Sequence, residues 1–68
     1  MLYYLITFDD NTAVRAKSIK IHTPISFEIR TDKNELLMNY YKTIKNIVPT
    51  TSSWKTLKSK GVRQTKIS

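Results

Sequence analysis

From Ile19 to Ile29 the odd positions are apolar or β-branched: Ile19, Ile21, Thr23, Ile25, Phe27 and Ile29. The even ones are Lys20, His22, Pro24, Ser26 and Glu28, with Arg30 next. A period of two marks a strand surface with one buried face. Pro24 interrupts the run and cannot donate to a ladder. A two-residue hairpin loop would reverse the parity. The unchanged parity therefore predicts either a three-residue loop at His22–Pro24, the preferred reading, or one long edge strand bent at Pro24. Upstream, Val14 and Ala16 are even while Ile19 and Ile21 are odd. That change predicts a bulge or break near Lys17-Ser18. A short helix over Ala13–Lys20 is the rival reading.

The segment Leu2 to Phe8 is short and rich in aromatic and β-branched residues, with apolar or amphipathic side chains on both parities. It predicts a strand covered on both faces and central in its sheet. Asp9-Asp10-Asn11 is a turn cluster, because short Asx side chains bond nearby backbone.

Asp32-Lys33-Asn34-Glu35 has the spacing of a capping box. At helical periodicity Leu36, Leu37, Tyr40, Tyr41, Ile44, Ile47 and Val48 share one face about 140° wide. This predicts an amphipathic helix over about Lys33–Val48, ended by Pro49. After the polar connector Thr50–Ser53, Trp54–Lys60 predicts two further helical turns closed by Gly61. Val62–Ser68 reads as a short last strand or a frayed tail. The expected fold is a small α+β domain. An antiparallel sheet of three to four strands is packed by one amphipathic helix (residues 1–48), and a basic C-terminal extension (49–68) with its short helix belongs to the same single domain.

Composition narrows the classes. A chain of 68 residues holds one thin core, and 40% hydrophobic content argues against full disorder. No cysteine is present, which excludes disulfides and thiolate chemistry. No apolar run approaches the roughly 18 residues of a membrane span. Met1 to Phe8 has no basic flank and runs into Asp9 and Asp10, which argues against a signal peptide. The expectation is a cytoplasmic protein with no membrane partner. The leaning toward Ile, Lys, Asn, Thr and Tyr is that of an AT-rich coding sequence, common in phages and mobile elements. There the compartment would be the host cytoplasm.

Charge changes the picture most. Residues 49–68 hold Lys55, Lys58, Lys60, Arg63 and Lys66 and no acid, so they carry +5 of the net +7. Such a stretch attracts polyanions. Trp54, among these lysines, suits either a base-stacking platform or the anchor of the short helix, the anchor being preferred. Arg15, Lys17 and Lys20 would extend the surface if the second strand lies nearby. The helix, Pro-Thr-Thr-Ser turn and basic helix also resemble a winged helix-turn-helix, in which Ser53, Lys55, Thr56 and Lys58 would face DNA. The turn lacks a glycine and the second helix is short, so this signal is weak.

Catalytic chemistry finds no support. His22 is alone, on the polar parity. Asp9-Asp10 lacks the further oxygen ligands of a hard metal, and Asp32 and Glu35 are accounted for as caps. Gly61 alone makes no phosphate loop. Most of Tyr3, Tyr4, Tyr40 and Tyr41 fall on apolar stripes; Tyr3 is the surface candidate. The sequence therefore predicts a non-enzymatic basic protein without cofactor or metal that binds DNA or RNA, of the regulatory or accessory kind found in phages or mobile elements. The alternatives are a viral-type inhibitor that docks on an acidic host protein or nucleoprotein complex, and a structural subunit of a ribonucleoprotein or virion. An exposed sheet edge admits a homodimer.

Overall fold

The computed structural model of the chain describes residues 2–23, 26–38 and 42–65. It is mostly antiparallel sheet, with six strands holding 61% of those residues. The elements are β1 (Tyr3–Phe8), β2 (Thr12–Thr23), β3 (Ser26–Thr31), β4 (Leu36–Met38), β5 (Ile44–Thr50), α1 (Trp54–Ser59) and β6 (Arg63–Gln64). The strand order is β4-β3-β2-β1-β5, all neighbours antiparallel, and β6 adds to β2 in parallel.

β1 is hydrogen-bonded on both sides and so is an inner strand, with Ile6 and Phe8 buried on one face and Tyr3, Leu5 and Thr7 only half-buried on the other. Asn11 follows with φ 66° and donates its N–H to the Phe8 carbonyl at 3.0 Å. Asn is among the few residues that adopt this conformation readily. β2 then changes partners along its length. Its first half pairs with β1, its second with β3, and the register shifts between Ala16 and Ser18. The extra residue there, Lys17, accounts for the parity change. A second shift lies between Ile21 and Thr23. It replaces the expected three-residue loop: Thr23 pairs directly with Ser26, and His22 is the extra residue that preserves parity. Pro24 and Ile25 lie outside the described residues.

The main correction concerns the helix expected over Lys33–Val48, which does not form. Asp32-Lys33-Asn34-Glu35 is instead the β3–β4 turn. Thr31 N–H donates to the Glu35 carbonyl at 2.8 Å, and Asn34 N–H to the Thr31 carbonyl at 2.9 Å. Glu35 N–H donates to Thr31 Oγ1 at 3.1 Å, and Asn34 has φ 67°. Leu36–Met38 pairs with Arg30–Glu28, and Ile44–Thr50 with β1. The helical spacing of Leu36, Leu37, Ile44, Ile47 and Val48 arose from two short strands placed in series. Ile44, Ile47, Val48 and Thr50 are β-branched and favour extended backbone, and pairing with β1 overrides local helix signals. Pro49, read as a stop, sits opposite Tyr4 within β5. β5 lies at the end of the strand order, where proline is tolerated. Tyr40 and Tyr41 lie outside the described residues. The helix-turn-helix reading loses its first helix, and the three to four strands become six.

The core cluster is Ile6, Phe8, Val14, Ala16, Phe27 and Ile29, with Tyr4, Ile19, Leu37, Ile44 and Ile47 against it. The Phe8 and Phe27 rings stack with centroids 5.9 Å apart. Leu37, Ile44 and Ile47 thus reach the core from strands. No helix covers it. α1, the only helix among the described residues, buries Leu57 outside this cluster. Ser53 caps it by accepting from Thr56 N–H, and Val62 N–H closes its other end on the Leu57 carbonyl at 3.1 Å. Gly61, at φ 88°, supplies the left-handed residue that this closure requires. No helix among the described residues is long and apolar enough to cross a membrane.

Candidate binding basin

The geometry begins at Arg15. Its Nε donates to the Ser52 carbonyl at 2.8 Å, and its NH1 to Asp32 Oδ2 at 3.0 Å. Its guanidinium carbon lies 3.7 Å from the Tyr3 ring centroid. The Arg15 carbonyl in turn accepts from Asp32 N–H at 3.0 Å. One side chain therefore joins β1, the β3–β4 turn and the connector before α1. Arg15 and Asp32 are each only 15% exposed. A guanidinium so enclosed needs its acceptors, because an unpaired charge there is costly.

A second node lies at Thr12. Its hydroxyl donates to Asp10 Oδ1 at 2.6 Å, and its N–H donates to the same oxygen at 3.0 Å. Lys42 Nζ lies 2.9 Å from Asp10 Oδ2 and donates to Thr12 Oγ1 at 3.3 Å. The buried Thr65 donates its hydroxyl to Thr12 Oγ1 at 2.7 Å and its N–H to the Ala13 carbonyl at 2.8 Å, which holds β6 in place. The Thr12 hydroxyl, then the Lys42 ammonium, hold the Asp10 carboxyl well below the usual carboxylate range.

Between these nodes lies an open basin of about 640 Å³. β2 contributes Thr12, Val14 and Arg15, β3 contributes its last residue Thr31, and the β3–β4 turn contributes Asp32, Lys33 and Glu35. Arg63, Gln64 and Thr65 come from β6 and the residue after it. Asp10, Lys42 and Trp54, the first residue of α1, complete the wall.

The sequence-derived candidates divide. Lys55, Lys58 and Lys60 are exposed on and just after α1, and Arg63 is exposed on β6 at the basin. None of the four forms a salt bridge with another described residue. Trp54 is half-buried and lines the basin. Lys17 and Lys20 are exposed on β2, Lys17 at the bulge. Arg15 differs, being tied to Ser52 and Asp32. Lys66 lies outside the described residues. His22 Nε2 meets Glu28 Oε2 at 2.9 Å on exposed β2–β3 surface. That hydrogen bond lowers the Glu28 carboxyl from its ordinary value. Sequence reasoning missed Lys33, Lys42, Gln64 and Thr65, because only the return of β6 to β2 and the turn at Asp32 bring them together. Among the described residues no group of three His, Asp or Glu side chains is placed to hold a metal.

The fold and basin define a small, mostly antiparallel β protein with a polar concavity beside a cationic segment. No protein-family model matches the sequence, and no similar chain was found among curated proteins or solved structures.

Proposed function

We propose that the protein binds nucleic acid without catalysis, through the cations of its α1–β6 segment, as a regulatory or accessory protein of the phage or mobile-element kind acting in the cytoplasm. The observation that carries this reading is a contrast. Of the seven cations before residue 49, Arg15 and Lys42 face carboxylates, Arg30 donates to the Asn34 carbonyl and Lys45 donates to Asn11, while Lys17, Lys20 and Lys33 are exposed in a body that holds all five acids. Lys55, Lys58, Lys60 and Arg63 are exposed on one short stretch whose sequence holds no acid to compete for them. Exposed cations of this kind bind phosphates by displacing condensed counterions.

The test is retardation of DNA and RNA by the full chain at two salt concentrations. Four phosphate contacts on duplex DNA give a slope of log K against log salt near about −3.6. The triple variant Lys55→Gln, Lys58→Gln, Lys60→Gln should flatten it by about 2–3 with the urea midpoint unchanged. A parent that retards no strand at low salt removes this reading. Capture of one acidic protein in its place would favour an inhibitor.

A further inference from the structure

We infer that the basin receives one unpaired nucleotide of the bound strand, its base stacked on Trp54 and its phosphate held by Arg63 and Lys33. This rests on the nucleic-acid reading and goes beyond it by assigning a second, base-directed site.

Charge is the first argument. Four charged groups of the wall satisfy one another: Arg15 with Asp32, and Lys42 with Asp10. Those left are Lys33, Arg63 and Glu35, none of them salt-bridged to a described residue. Two cations suit one phosphate. The remaining carboxylate repels a second anion from its own side and accepts from a base N–H, such as the ring N–H of thymine.

The wall's composition is the second argument. Only Val14 and Trp54 among the lining residues are apolar, and Trp54 supplies the sole aromatic face. Small-molecule pockets are mostly apolar, so this one suits a flat ligand with a polar edge rather than a lipid or an alkyl chain. A nucleobase offers a π-face for the indole and edge groups for the Gln64 amide and the threonine hydroxyls. The volume lies within the roughly 300–1,000 Å³ of small-ligand sites. A paired base is stacked within its duplex, so the occupant is unpaired.

Support is the third. Trp54 follows Ser53, which caps α1, and Ser52, whose carbonyl Arg15 holds. Arg63 is fixed by pairing with Thr12. Lys33 sits in the turn closed by Thr31 and Glu35. The backbone positions of the three residues are thus set before the ligand arrives, and the ordering cost that remains is that of the exposed Arg63 and Lys33 side chains.

Trp54 is the only tryptophan, so its emission reads the basin. The full chain is titrated with single-stranded oligothymidylate, with an abasic deoxyribose-phosphate strand of equal length, and with duplex. We expect oligothymidylate to change Trp54 emission saturably and to bind at least about five-fold tighter than the abasic strand. The abasic strand and the duplex should be retained in gels with no change in emission. Arg63→Gln and Lys33→Gln should each shift the emission midpoint upward several-fold. If base-bearing and abasic strands bind equally with Trp54 unperturbed, the basin inference fails while the cationic segment stands. If no strand is retained at low salt, both fall.

Discussion

Arg15→Met separates a structural arginine from a ligand-binding one. The substitution keeps an unbranched stem against Tyr3 but removes both donors, to Ser52 and to Asp32. Hydrogen bonds to charged groups contribute about 1.5–3 kcal/mol each, and breaking a fully buried ion pair costs about 3–5 kcal/mol. Both partners here keep 15% exposure, so water relieves part of that cost. Stacking of the guanidinium on Tyr3 adds about 0.5–1 kcal/mol, partly replaced by the methionine stem. The expected loss is about 2–3 kcal/mol, in a domain whose total stability at this length is about 3–10 kcal/mol. With a urea slope near about 1 kcal/mol/M for so small a chain, the midpoint followed by Trp54 emission should fall by about 2–3 M. Asp32→Asn supplies the second arm. If the pair is coupled, the double variant loses less than the sum of the singles by about 1 kcal/mol or more. A midpoint unchanged by Arg15→Met, together with weaker polyanion binding, would refute the structural role and return Arg15 to the contact surface.

Other perturbations test separate parts of the fold. Ile29, fully buried between β2 and β4, should cost about 2–5 kcal/mol as Ile29→Ala. Ile44→Ala, half-buried on β5, should cost clearly less, and equal urea midpoints for the two variants would place β5 wrongly. Gly61→Ala meets no atom within 4 Å, so its only cost is the left-handed backbone, about 1 kcal/mol by urea denaturation. Asp10 titrates below its ordinary value of 3.8. Its contribution is therefore fully present above that pH and lost as pH falls through the depressed folded value. Asp10→Asn should lower the urea midpoint at neutral pH and shrink the further loss on acidification; a variant with the parent's acid profile would show the Thr12 and Lys42 contacts to be energetically idle.

Parts of this architecture are legible locally and parts are not. Leu2–Phe8 is legible as an inner strand because its residues are mostly aromatic and aliphatic, and β1 (Tyr3–Phe8) is indeed paired on both sides. The parity change at Lys17 is visible because side-chain direction alternates strictly along a strand. Asp9–Asn11 carries its conformation in its own side chains. The segment from Asp32 to Thr50 misleads for an equally physical reason. Two strands separated by a few residues imitate a 3.6-residue repeat, and an Asp three residues before a Glu serves a turn as well as a helix start. What decides between them is the long-range pairing of β5 with β1 and of Asp32 with Arg15, and neither partner is near in sequence. The basin is hidden for the same reason. Thr12 and Thr65 are 53 residues apart and meet only because β6 returns to β2.

That return also orders the electrostatics. Asp10 and Asp32 each face a cation of the body, Lys42 and Arg15, so two charges of each sign are held in local pairs. The segment from Lys55 to Arg63 has no such acid in its sequence, and the pairing of Arg63 with Thr12 keeps it against the body. A cationic stretch on a loose tail would attract a phosphate chain without orienting it. Held at one end by the Arg15–Ser52 contact and at the other by Thr65 on Thr12 and Ala13, the same cations have a fixed bearing relative to Trp54 and the basin. On the proposed reading, attraction by charge and positioning of one base are separable. Loss of the α1 lysines should weaken every strand alike, whereas loss of Arg63 should fall hardest on strands with an unpaired base.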